Sequence, residues 1–186
     1  LPFVTDPKEE MEELDKWAVT RLNALIEKCF KAYDVYEFSA VTHAINDFCV
    51  VDMSNFYLDV IKDRLYCESR TGLPRRSAQS AIWLILDAMV RLLAPILAYT
   101  ANEIWEAMPH RIGDDARHVM LNDMSTVQEA WKLSEEDALF WADSLRLRND
   151  VNKALELARA DKLKVRIVTW ADPDYPKLLE IGRAHV

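Results

Sequence analysis

Between Ala81 and Leu93 almost every position is apolar, with Ile82, Trp83, Leu84, Ile85, Leu86, Met89, Val90, Leu92 and Leu93 in one run. A helix made from such a run is apolar on nearly every face, so it has to be surrounded by other helices or by lipid. Asp87 and Arg91 interrupt it, and no stretch reaches the roughly 18 apolar residues that a membrane span needs. The run therefore predicts the central helix of a soluble bundle. Only three of the 186 residues are glycine, which favours helix over most of the chain. The expected fold class is mostly α, an antiparallel helical bundle with a short C-terminal strand or junction remnant.

The flanking sequence supplies the partners. Asp6-Pro7 followed by Glu9 reads as a helix start, and Leu14, Ala18, Leu22, Leu25, Ile26, Cys29, Phe30 and Tyr33 recur on one stripe to about Tyr33. After a break at 34–37, Phe38, Val41, Ile45, Phe48 and Cys49 mark a second helix, and Ser54-Asn55 reads as the restart of a third, ending near Tyr66. Gly72 and Pro74 mark a loop before the central helix, and Pro95 ends or kinks that helix. Thr100-Ala-Asn-Glu103 reads as a capping box for a short helix that stops at Pro109. Residues 109–133 form a long polar connection. Ser134-Glu-Glu-Asp137 then opens a last helix, with Leu147, Val151, Ala154, Leu155 and Ala158 on one face, that reaches about Asp161. Residues 163–170 alternate like a strand.

Several chemistries find no residues here. No histidine has a glutamate three residues before it, which excludes the di-metal carboxylate bundle, and no phosphate-cradling, zinc-protease or serine-elbow motif occurs. His43 and His118 read as helix-face and loop residues. Cys29, Cys49 and Cys67 form no CxxC pair and are odd in number, which points to a reducing, cytoplasmic setting with structural thiols at Cys29 and Cys49. The chain alone is not expected to be an enzyme, and neither a metal nor a cofactor is expected in it.

Net charge is −8 but uneven. Residues 1–60 carry 5 basic and 12 acidic groups and residues 92–140 carry 3 and 9. Residues 61–91 carry 6 and 3, and residues 141–166 carry 7 and 4, so two basic islands stand in an acidic frame.

The run Leu14-Asp-Lys-Trp-Ala-Val-Thr-Arg-Leu22, with Phe48-Cys-Val-Val-Asp-Met-Ser-Asn-Phe-Tyr-Leu-Asp-Val-Ile-Lys-Asp-Arg-Leu-Tyr66, closely resembles the region after the catalytic core in bacterial-type isoleucyl-tRNA synthetases, a class I family. Arg75-Arg-Ser-Ala-Gln79, Arg91-Leu-Leu-Ala-Pro-Ile-Leu97, Thr100-Ala-Asn-Glu-Ile-Trp105 and Arg148-Asn-Asp-Val-Asn-Lys-Ala-Leu-Glu156 follow in the family's order. The resemblance covers roughly residues 8–162. Valyl, leucyl and methionyl enzymes share the domain, but the Ser-Asn-Phe-Tyr-Leu-Asp and Lys-Asp-Arg-Leu-Tyr wording looks isoleucyl. A helical protein-interaction module is the alternative from another class.

The resemblance implies a tRNA anticodon-binding region, cut at both ends, from a monomeric ligase. That ligase's catalytic domain, absent here, uses ATP to load isoleucine onto its tRNA. The implied partners are tRNA(Ile) and the catalytic domain of the same polypeptide, with no membrane. Anticodon bases are single-stranded, so their receptor needs cations for phosphates and planar or amide groups for bases. Arg146, Asn149 and Lys153 fall at i, i+3, i+7, and Arg148, Asn152 and Arg159 form a neighbouring stripe. Both stripes are expected to lie away from the Val151–Leu155 face, with Trp141 upstream as a stacking platform. Arg148 and Arg159 bridging acids within the helix, and Trp141 packing on the bundle, remain open readings. Arg75 and Arg76 stand at a helix start, where the dipole gives cations nothing, so phosphate is their expected partner. Lys62 and Arg64, alternating with Asp59 and Asp63, suit salt bridges between packed helices.

Residues 1–162 are thus expected to form the helical domain without its lead-in helix, and residues 163–179 a junction remnant. Here the chain lacks the family's Ile-Gly-x-Ser-Leu-Glu-Ala-like stretch. Residues 180–186, Glu-Ile-Gly-Arg-Ala-His-Val, read as a non-native tail, since an in-frame sequencing adaptor can encode them.

Overall fold

The computed structural model describes residues 11–160. The helix start at Asp6-Pro7, the strand at 163–170, the junction and the tail lie outside them. The chain divides into two compact units, one ending at Ser134 and one beginning at Glu135.

In the first unit, helix α1 (Glu13–Asp34) buries Ala18, Leu22, Leu25, Ile26 and Cys29, the stripe that the spacing marks. It also buries Trp17, Val19 and Asn23 beside that stripe. Neighbours therefore flank α1 on more than one side. It ends at Tyr36, whose φ of 59° is left-handed, while the amide of Glu37 donates to the carbonyl of Ala32 at 2.8 Å. This is the closure that glycine usually provides at a helix end.

Helix α2 (Phe38–Asp47) passes without a break into a π-helix (Phe48–Tyr57), one turn at Leu58–Val60, and α3 (Lys62–Cys67). The expected restart at Ser54-Asn55 does not occur. Serine and asparagine cap helices by serving unpaired amides, and within a continuous hydrogen-bonded coil no such amides are left to serve. The wide coil buries Phe48, Met53 and Tyr57, spaced five and then four apart. Contacts from Tyr33 to Phe38, Arg21 to Asp52 and Asp15 to Arg64 show that this run lies antiparallel to α1.

Helix α4 (Leu73–Leu93) starts after Gly72, with Pro74 in its first turn. The amide of Glu12 donates to Ser77 Oγ at one end and the hydroxyl of Tyr33 donates to the Leu92 carbonyl at the other, so α1 and α4 run parallel. Helix α5 (Ala98–Ala107) begins before the expected capping box, with Leu97 in the cap position and Thr100 already inside the first turn. Trp105, fully buried, packs with Val90, Ala94, Ala101, Met108 and Val119.

The polar connection is an ordered strap. It carries two short 3-10 turns, Val119–Leu121 and Glu129–Trp131. Asn23 Nδ2 donates to the Gln128 carbonyl at 2.7 Å, and the Gln128 amide donates back to Asn23 Oδ1 at 3.0 Å. Thr20 Oγ1 donates to the Trp131 carbonyl at 2.5 Å. In the second unit, α6 (Glu135–Ala160) has Glu135, Glu136 and Asp137 in its first turn, where the helix dipole favours acids.

Candidate nucleic-acid interface

Helix α6 carries most of the candidate cations. Arg146, Asn149 and Lys153 are exposed and share one face, as 3.6 residues per turn requires. The neighbouring stripe divides. Asn152 and Arg159 are exposed, whereas Arg148 and Trp141 are half-buried along with Val151, Leu155 and Ala158. Arg148 stands one turn from Val151 and two from Leu155, so it belongs to the covered face rather than away from it. Trp141 lies two turns before Arg148 on that same face and makes an edge contact with Phe140, ring centroids 5.8 Å apart. Leu147 and Ala154 are exposed, so the apolar stripe of α6 is narrower than the sequence pattern suggests.

Arg75 and Arg76 belong to the first unit, half-buried in the first turn of α4. Arg75 Nη1 reaches the Glu68 carbonyl only at 3.5 Å. Of the alternating charges before them, Lys62 bonds Asp59 at 2.7 Å within its own helical run. Arg64 joins two helices, donating to Asp15 at 2.9 and 3.3 Å.

Asp15 is fully buried, and sequence reasoning missed it. Its carboxylate also accepts from Tyr57 Oη at 2.6 Å and from Ser77 Oγ, so one anion ties α1, the π-helix, α3 and α4 together. Burial first, and then the neighbouring carboxylate, push the Tyr57 phenol far up, so it stays a donor at physiological pH. A second missed network surrounds Arg91, only 7% exposed. Arg91 donates to Asp87 at 3.1 Å, Asp114 at 2.7 Å and the Asp123 carbonyl at 2.9 Å, and it lies 4.9 Å over the Trp105 ring. Burial alone would depress this guanidinium, but its two carboxylates more than reverse that. Arg111 completes the network through Asp87 at 2.6 Å. Both networks are internal and neutralised, so they hold the scaffold and leave the exposed cations as the chemistry available to a ligand. The one signal in sequence was a charge inside an apolar helix, where burial without a partner is prohibitive.

His43 and His118 are exposed, on α2 and in the strap. Among the described residues no helix is long and apolar enough to cross a membrane.

Internal ion pairs thus lock the first unit, and α6 exposes Arg146, Asn149, Asn152, Lys153 and Arg159. Residues 15–166 match the family described as the anticodon-binding domain of tRNA ligase, and the chain belongs to that family. Its relatives include the isoleucine–tRNA ligases of a Thermoanaerobacter species (44% identical over 159 residues, 84% of this chain and 17% of the relative) and Coxiella burnetii (43% over 178 residues, 90% and 19%). That of Natranaerobius thermophilus is 40% identical over 177 residues, 92% of this chain and 19% of the relative. The chain thus spans less than a fifth of the length of these relatives.

Proposed function

We propose that this chain is the anticodon-binding part of an isoleucine–tRNA ligase and that it grips the anticodon stem-loop of tRNA(Ile). The observation that carries the proposal is the exposed face of α6, where Arg146 and Lys153 can meet phosphates and Asn149 a base edge, within a chain of this family. The catalytic domain of the same polypeptide would bind ATP, activate isoleucine and receive the acceptor end, so the fragment itself performs no chemistry. The parent would act in the cytoplasm as a monomer, away from membranes.

The test is an anisotropy titration of the 186-residue chain with a tRNA(Ile) transcript, an anticodon-swapped version and an unrelated tRNA, at two salt concentrations. Tighter binding to the first, weakening with salt, is expected. Replacing Arg146 and Lys153 with glutamine should lower the slope of log affinity against log salt by roughly 1.5. Equal binding to all three RNAs would reduce the role to phosphate gripping. No binding by folded chain would sink the proposal and restore the protein-interaction module.

A further inference from the structure

In the acidic first unit most cations are already engaged: Lys16, Arg21, Lys31, Lys62, Arg64, Arg91, Arg111, Arg117 and Lys132 all form ion pairs. Arg76 has interactions of its own. Among the described residues of this unit that leaves Lys28 on α1, and Arg70 and Arg75 together at the corner between α3 and α4, without a carboxylate. The corner is tightly built. The Gly72 amide donates to the Ser69 carbonyl at 3.0 Å, and a side chain at Gly72 would press on Ser69 Oγ at 3.2 Å. Arg75 folds back toward the Glu68 carbonyl, which sets it beside the segment that bears Arg70. Tyr66, in the last turn of α3 at this corner, is 83% exposed, with no hydrogen bond or ring contact among the described residues.

Two guanidiniums without a carboxylate, close in sequence to an exposed phenol ring, have a physical meaning in a unit where most cations are already paired. Arginine forks match phosphate oxygens, and an exposed ring offers a face on which an unpaired base can stack. A protein partner would need an apolar surface, and beside Tyr66 the corner offers one exposed aliphatic side chain, Leu73, amid polar and small residues from Cys67 to Gly72. We infer that the α3–α4 corner is a second RNA-contact surface, in which Arg70 and Arg75 hold phosphates and the Tyr66 ring stacks on a base of the same tRNA. This rests on the tRNA-binding reading above but uses a different unit of the chain from α6.

Two variants test it by anisotropy with the tRNA(Ile) transcript. Replacing Arg70 and Arg75 with glutamine should weaken binding roughly tenfold near physiological salt and lower the salt slope by about 1.4–1.8, the release expected for two phosphates. Tyr66→Ala should weaken binding roughly tenfold with the slope unchanged, and Tyr66→Phe should bind like the wild type, because stacking needs the ring and not the hydroxyl. Circular dichroism establishes that each variant is folded. Wild-type binding that none of these changes moves would overturn the corner alone and leave α6 in place, pointing to a protein neighbour at Tyr66. Failure of the wild type to bind tRNA would remove both readings.

Discussion

Asp15 shows how much one side chain can organise. A buried carboxylate is tolerated only when its lone pairs are met, and here Tyr57, Arg64 and Ser77 meet them from three other segments. Asp15→Asn removes the charge that Arg64 neutralises and should cost roughly 3–5 kcal/mol in chemical denaturation. Tyr57→Phe removes one donor and leaves two, so roughly 1–3 kcal/mol is expected. A Tyr57→Phe loss as large as that of Asp15→Asn would show that the phenol, rather than the ion pair, holds the knot. The sequence shows an inter-helix salt bridge at Arg64 but not its partners at this knot, because they stand 42 to 62 residues away and helical periodicity sees only the nearest turns. Cys29 was more legible. Its place on the α1 stripe predicts burial, and burial pushes the thiol up to about 11.

At the scale of elements, apolar spacing carries α1, α4 and α6 almost to their ends, since each is long enough for its stripe to repeat. It fails between Phe48 and Tyr57. There the spacing of buried residues widens to five, and a pattern read at 3.6 sees a break instead of a change of coil. It fails again on α6, where Arg148 shares a face with Leu155. The strap at 109–133 reads as a loop because its order comes from side-chain hydrogen bonds to backbone rather than from periodicity. Asn23→Ala deletes the reciprocal pair with Gln128. Faster hydrogen exchange confined to residues near 126–132 is expected, with the α1 and α4 amides unchanged. Acceleration spread through α1 would mean that the strap is part of the core rather than laid upon it.

At the scale of the whole molecule, the proposed role asks a protein of net −8 to approach a polyanion. In that role the acidic frame would repel RNA that does not engage the exposed cations, and the ion pairs would keep the remaining cations from binding it indiscriminately. An unstructured poly(U) oligomer should therefore compete with tRNA at least about tenfold more weakly at physiological salt, measured by displacement of labelled tRNA. Equal competition would mean that the frame gives no discrimination. The Asp15 knot adds a constraint in time. A ribosome adds roughly 5–20 residues per second, and Ser77 follows Asp15 by 62 residues, so synthesis separates them by roughly 3–12 s. Until the first turn of α4 emerges, Tyr57 and Arg64 can reach the Asp15 carboxylate but Ser77 cannot. Helices packed before then would leave the carboxylate one donor short, so the knot that ties α1 to α4 closes only when Ser77 has been made.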